Sequence, residues 1–230
     1  MINRNIQLNE LSVYKVFISV LYRQLNIFVK NKALIISGIF LFISSISILK
    51  FLEGNNINTE TFKIIEILLI IYSITLSSDL IIVEDYKKGL FEQFLLTGVL
   101  LEFFLLAKIT ASFIAYAMLY VPVMAVIDFL TDSYKIYDIT YLVLIKILII
   151  FNITINSVMS SSFLLSFKKR TSQILISIFI NIPTIVISSL CYVSNNLFYS
   201  LLLISILLLT LPLSVLLSSY IIKISIEEDN

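Results

Sequence analysis

The residues best suited to chemistry lie in one polar segment, residues 84–93, with the sequence EDYKKGLFEQ. Long apolar stretches flank this segment on both sides. Its carboxylates and lysines are spaced like those of a helix, with Glu84, Lys88 and Glu92 on one face. The rest of the chain is poor in charge, so this cluster favours a role in binding another molecule over a role in catalysis. An ordinary solvated loop is the alternative.

The rest of the chain lacks the residues that common catalytic and metal sites need. It contains no His, no Trp and a single cysteine, Cys191. The commonest general base and the commonest metal ligand are therefore absent. The sequence also has no G-x-x-x-x-G-K-[ST], H-E-x-x-H or G-x-S-x-G motif. We therefore predict that the chain is not an enzyme, and we assign no cofactor, metal or ATP site to its own residues.

The composition predicts an all-α polytopic membrane protein. Hydrophobic residues make up 59% of the chain and charged residues 13%, and the mean hydropathy is +1.03. Soluble domains are about half apolar and about a quarter charged. The apolar residues fall into blocks of about 20, the length that crosses a hydrocarbon core of about 30 Å. The bilayer is the expected environment, and a net charge of +1 without a basic domain argues against nucleic acid.

The hydropathy pattern organises residues 1–230 as a single transmembrane domain. Residues 8–32 form an amphipathic pattern, predicted to lie in the interface with its cations toward anionic headgroups; a solvated helix is the alternative. Lys and Arg residues concentrate before the first span, after the second and after the fourth, so both termini should be cytoplasmic. The six predicted spans are residues 33–52, 63–83, 104–127, 139–163, 173–193 and 198–222.

A few polar residues fall at membrane depth, where such residues are candidates for function. Asn152 and Asn156 share one helix face, and cross-helix hydrogen bonds explain them, with a polar pathway as the alternative. Lys146 is expected to snorkel to the outer interface. Asp79 lies near the inner end of the second span, where an ion pair with a lysine of the polar segment is expected.

Residues 84–97 are predicted to form a short cytoplasmic helix that Gly89 bends or opens to a close backbone approach. Three motifs run through and beyond it: Glu84-Asp85-x-x-x-Gly89-x-x-Glu92-Gln93, Leu95-Leu96, and Leu106-Ala107-Lys108. In this order they resemble the CcmB-type permeases of cytochrome c maturation, which form the membrane component of the so-called haem exporter ABC transporter. Later residues match more loosely: Lys168-Lys169-Arg170, Ile182-Pro183, Leu211-Pro212-Leu213 and Ile222-Lys223-Ile224.

The sequence departs from the family pattern at three places. Lys88 stands where an acidic residue is usual, Phe91 replaces the usual Leu, and Thr97-Gly98 stands where many members have Ser-Pro. These departures weaken the match along the helix surface. The acidic residues, Gly89 and Gln93 of the motif remain in place.

The resemblance implies an ABC-2-like permease with six spans and a cytoplasmic coupling segment at residues 84–103. Its implied partners are a separate ABC ATPase subunit, a haem-handling membrane protein and a small helper subunit, with haem possible at the level of the complex. Its implied location is the bacterial inner membrane, with the mitochondrial inner membrane as the alternative. The candidate residues for ATPase coupling are Glu84, Asp85, Gly89, Glu92, Gln93 and Lys108.

Two other functions remain open on the sequence. One is an ABC-2-like exporter permease for a lipid, polysaccharide or drug, which the helix count fits nearly as well. The other is a membrane assembly scaffold that transports nothing. Because the chain has no His, we favour a mechanical role, in which motion driven by ATP passes through residues 84–97 to partner subunits.

The predicted topology can be tested with reporter fusions. Fusions at Asn55 and Asn195 should report the outside, and fusions at Lys88 and Lys169 the inside, because the positive residues concentrate on one side. An outside signal at Lys88 would contradict both the topology and the coupling segment.

Overall fold

The computed structural model describes residues 13–53, 59–78, 81–96, 100–130, 136–167, 170–194 and 196–229, and these residues form nine α-helices without a strand. The helices are α1 (Val13–Lys30), α2 (Lys32–Glu53), α3 (Thr59–Ser77), α4 (Val83–Lys87), α5 (Leu90–Leu96), α6 (Leu101–Leu130), α7 (Ile136–Phe167), α8 (Arg170–Ser194) and α9 (Leu197–Asp229).

Four helices of the described part of the chain are long and apolar enough to cross a membrane: α6, α7, α8 and α9. Helices α1 and α2 meet at a bend of 63° and together qualify as a fifth candidate span. The chain is therefore all-helical in the part described, and several apolar helices make it a multi-pass membrane protein. The residues of the predicted second span lie mainly in α3, which carries Lys63 and Glu66 and is not among these candidates.

Helix α1 covers residues 13–30 of the predicted amphipathic segment, Lys32 already belongs to α2, and residues 8–12 lie outside the described residues. One stripe of it, including Val20, Ile27 and Phe28, is buried, and α1 packs mainly on α6. The Phe28 and Tyr116 rings meet edge to face, with centroids 5.3 Å apart. Helix α1 is therefore held by protein on one side and carries exposed apolar residues such as Tyr22 on another.

Helix α7 lies at the centre of the bundle, in contact with α6, α8 and α9. Every side chain from residue 152 to residue 158 is buried. This stretch contains Asn152, Asn156 and Ser157, and it continues into Ser160 and Ser161. Small residues let membrane helices approach closely, and this explains why the most buried helix is also rich in serine.

Gly38 marks the closest approach of α2 to its neighbours. A Cβ atom at this position would lie 2.9 Å from the Ser73 Oγ, 3.0 Å from the Ser73 carbonyl oxygen and 3.3 Å from the Tyr120 hydroxyl. Because one of these atoms belongs to the backbone of α3, side-chain rotation would not relieve the crowding. Gly38 therefore sets the distance between α2 and α3.

Replacing Gly38 with Ala tests this packing, because helix propensity and crowding predict opposite signs. Propensity favours Ala over Gly by about 1 kcal/mol in a helix. We expect Gly38→Ala instead to lower the unfolding free energy in detergent by about 1–3 kcal/mol through overpacking. Ser47→Ala, on the exposed side of α2, is the control and should change stability by less than about 0.5 kcal/mol. A stabilised Gly38→Ala variant would contradict the close approach.

Candidate functional site

The polar segment folds as two short helices, α4 and α5, joined by a turn at Lys88 and Gly89. Gly89 has φ +66°, a conformation that glycine adopts without strain, and its amide donates to the Tyr86 carbonyl oxygen at 2.9 Å. The Gln93 amide donates to the Gly89 carbonyl oxygen at 3.2 Å. The predicted break at Gly89 is therefore confirmed.

Asp85 anchors this segment to two other helices. The Arg23 guanidinium of α1 donates to both carboxylate oxygens, at 2.9 Å to Oδ2 and 2.6 Å to Oδ1. The Lys108 ammonium of α6 lies 2.5 Å from Asp85 Oδ2 and also donates to the Ile81 carbonyl oxygen. Two-point guanidinium–carboxylate bonding fixes orientation as well as distance. The Asp85 and Lys108 side chains are both 0% exposed.

The pKa of Asp85 reflects a competition between burial and its cations. Burial acts most strongly and raises this pKa, but the hydrogen bonds and charges of Arg23 and Lys108 together outweigh it, so the pKa lies below its ordinary value. A lowered pKa means that the carboxylate stabilises the fold above the ordinary value of about 3.9. This contribution is lost as the pH falls through the lowered pKa.

This geometry divides the candidate coupling residues into two groups. Asp85 and Lys108 are enclosed, so no partner can reach them in this arrangement. Arg23 was predicted, with the other cations of residues 8–32, to contact lipid headgroups, but it pairs with Asp85 instead. Glu84 is partly exposed, accepting from Lys88 at 2.7 Å and from the Asn31 side-chain amide at 3.2 Å. Glu92 and Gln93 on α5 are exposed, and the remaining candidate, Gly89, lies in the turn between α4 and α5.

Aromatic packing also holds the polar segment against the bundle. Phe91 of α5 is 1% exposed, and its ring lies 5.4 Å from the Phe104 ring in an edge-to-face contact. The Lys108 ammonium lies 5.4 Å and 5.2 Å from the centres of these two rings, within reach of a cation–π interaction. The Tyr86 hydroxyl donates to the Ser225 carbonyl oxygen of α9 at 2.8 Å. The segment is thus fixed to α1, α6 and α9.

A second group of buried charges joins α3, α6 and α7, and we call it the charge quartet: Lys63, Glu66, Asp128 and Lys146. Both lysines donate to Asp128, Lys63 donates to Glu66 Oε2 at 3.3 Å, and Lys146 donates to the Met124 carbonyl oxygen at 3.0 Å. The expected snorkelling of Lys146 is therefore wrong. Its side chain is 0% exposed because Asp128 supplies a partner inside the bundle.

The two charged groups lie near opposite ends of α6. Lys108 and Asp128 are separated by about 30 Å at 1.5 Å per residue, which matches the thickness of a hydrocarbon core. Between them, residues 109–127 contain no charged side chain. Helix α6 therefore carries one group of paired charges near each of its ends, about one hydrocarbon-core thickness apart.

The polar residues between these groups form hydrogen bonds both between helices and within α7. The Asn156 side-chain amide donates to Asn181 Oδ1 of α8 at 2.9 Å, and Asn152 donates to the Leu148 carbonyl oxygen at 3.0 Å. The Ser77 and Tyr116 hydroxyls lie 2.9 Å apart. Both asparagines are buried, but the predicted cross-helix hydrogen bond is found only for Asn156, since Asn152 donates within its own helix. The remaining intramembrane candidate, Asp79, lies outside the described residues.

Sequence reasoning missed Arg23, Lys63 and Asp128 as members of these groups. It placed Arg23 toward lipid headgroups, counted Lys63 among the cations of the outer side, and did not consider Asp128. One signal was present: Lys146 lies within a predicted apolar span, and a buried lysine requires a carboxylate at the same depth. No comparable signal marked Arg23, because it lies 62 residues from Asp85 in sequence.

Neutralising Asp85 should expose the difference between buried and surface ion pairs. Asp85→Asn leaves two cations without a carboxylate, so we expect a loss of about 3–5 kcal/mol in unfolding free energy. Lys88→Ala removes the neighbouring exposed pair with Glu84 and should cost about 0–1 kcal/mol. Adding Lys108→Met to Asp85→Asn should recover part of the loss, because it removes the uncompensated ammonium. Equal effects of Asp85→Asn and Lys88→Ala in denaturant titrations would contradict this assignment.

No protein-family model matches this chain, and no curated protein sequence matches it.

Proposed function

We propose that this chain is the permease subunit of an ABC-type complex that acts in cytochrome c maturation or haem export. It would cross the bacterial inner membrane six times with both termini in the cytoplasm, α2 and α3 forming the first two spans. The mitochondrial inner membrane is the alternative location. ATP hydrolysis would occur in a separate ATPase subunit, since this chain carries no phosphate-loop motif.

One observation carries the proposal: the buried Asp85–Lys108 ion pair, supported by Arg23, holds a short helix pair that exposes Glu92 and Gln93. An unanchored loop would absorb a partner's movement through its own flexibility. Here Asp85 ties α4 to α1 and α6, so displacement of α5 is passed to two long helices. Coulomb attraction between buried charges is much stronger than in water, which makes such a link stiff.

In this mechanism the ATPase subunit contacts α5 through Glu92 and Gln93, while Gly89 allows the turn that presents them. Asp85 and Lys108 act within the permease as the link to the bundle. The motion would reach the haem-handling membrane protein and the helper subunit through α1 and α6. Because the chain has no His, a histidine ligand for haem would have to come from these partners.

A lipid-exporting ABC-2-like permease is the second candidate, and a groove between α2 and α6 favours it. The groove has a volume of about 360 Å³, and apolar side chains form most of its surface. Its lining residues are Ile43, Ile46, Ser47, Lys50, Pro122, Val123, Val126 and Ile127. Such a groove has the chemistry to accept an acyl chain. Co-purification of a lipid exporter's partners, without a haem-handling protein, would favour this candidate.

Co-purification from native membranes tests the proposed coupling. We expect the parent to retain an ABC ATPase and a haem-handling membrane protein. Glu92→Ala with Gln93→Ala should reduce the bound ATPase about tenfold, equivalent to about 1.4 kcal/mol. Gly89→Val should reduce it further, because a β-branched residue does not tolerate φ +66°.

The matched control is Glu227→Ala with Glu228→Ala. These exposed residues lie in the last turn of α9, whose Ser225 contacts α4 at the same end of the bundle. The control should retain the ATPase at the parent level. If the parent binds no ATPase, or if all variants bind it equally at matched membrane levels, the proposal is wrong.

A further inference from the structure

The charge quartet contains a carboxylate oxygen that has no hydrogen-bond partner among the described residues. Glu66 Oε2 accepts from Lys63 at 3.3 Å, whereas Glu66 Oε1 accepts no hydrogen bond from them and has Lys146 Nζ at 4.0 Å. The Glu66 side chain is 0% exposed. Lys146 gives its hydrogen bonds to Asp128 and to the Met124 carbonyl oxygen.

Asp128, the other carboxylate of the charge quartet, has more stabilising contacts for its ionised form. Lys63 donates to its Oδ1 and Lys146 to its Oδ2, so each oxygen has an ammonium partner. Its side chain is 14% exposed, more than that of any other member of the charge quartet. Asp128 is therefore well stabilised as an anion and is the most exposed member of the charge quartet.

These facts point to Glu66 as the member that gains most from neutralisation. An ionised oxygen buried without a hydrogen bond is expensive, whereas a neutral carboxylic acid at the same place is far less so. Carboxylates at membrane depth serve as proton-relay groups in other membrane proteins. We propose that Glu66 is a proton-binding site, taking up one proton from water at Oε1 while Asp128 stays ionised.

Proton binding would change the net charge of the charge quartet from zero to +1. The O–H bond formed at Glu66 Oε1 replaces one O–H bond of a hydronium ion that reaches the charge quartet past Asp128, and a neutral water molecule is left behind. The charge at the junction of α3, α6 and α7 would then depend on pH. This inference does not rest on the proposed function, because it concerns the opposite end of α6 from the polar segment.

Infrared difference spectroscopy of the purified full chain in lipid nanodiscs tests the site. The buffer is switched between about pH 9 and about pH 6, a range in which exposed carboxylates stay ionised. We expect the carbonyl band of one protonated carboxylic acid to appear at the lower pH. Chains labelled with ¹³C-glutamate should shift this band, and chains labelled with ¹³C-aspartate should not.

Variants then assign the band to one residue. Glu66→Gln should abolish it, whereas Glu228→Gln, which changes an exposed glutamate on α9, should leave it unchanged. The isotope shift in the parent keeps the test decisive if Glu66→Gln does not fold. Absence of the band, a shift with labelled aspartate, or persistence of the band in folded Glu66→Gln would overturn the proposal.

Discussion

The ion pairs of the buried Asp85 carboxylate with Lys108 and Arg23 are the interactions on which the end of the bundle that carries α4 and α5 depends. Helices α4 and α5 are too short to be stable by themselves. Their position comes from the Asp85 carboxylate and from Phe91, which is packed against Phe104. Because the carboxylate meets cations from two different helices, its loss would leave like charges facing each other. The same contact that fixes the segment therefore joins it to the bundle.

Two groups of paired charges, one near each end of α6, determine where other helices pack on it. Lys108 belongs to one group and Asp128 to the other, and apolar or small polar residues fill the distance between them. Each charge is expensive in an apolar interior unless its partner is present, so the two groups oblige α1, α3, α4 and α7 to dock at defined places on α6. The hydroxyl and amide pairs between them require much less precision.

The sequence predicted what depends on local pattern. The long apolar helices and the break at Gly89 follow from hydropathy and from glycine's freedom at positive φ. The environment of charged residues was predicted less well, since it depends on contacts between helices far apart in the chain. Asp85 and Lys108 were taken as surface residues because a polar segment between two spans looks solvated. Lys146 was placed at an interface because its partner, Asp128, could not be recognised without the packing of α6 against α7.

Hydrogen–deuterium exchange across the polar segment tests the central claim most directly. In the parent, the amide hydrogens of residues 83–96 should be protected, because Asp85 holds α4 and α5 against α1 and α6. In Asp85→Asn we predict exchange at least about tenfold faster in this segment, with the amides of α7 unchanged, since local opening follows the free energy of the lost contact. Exchange at the parent rate throughout residues 83–96 would contradict the account.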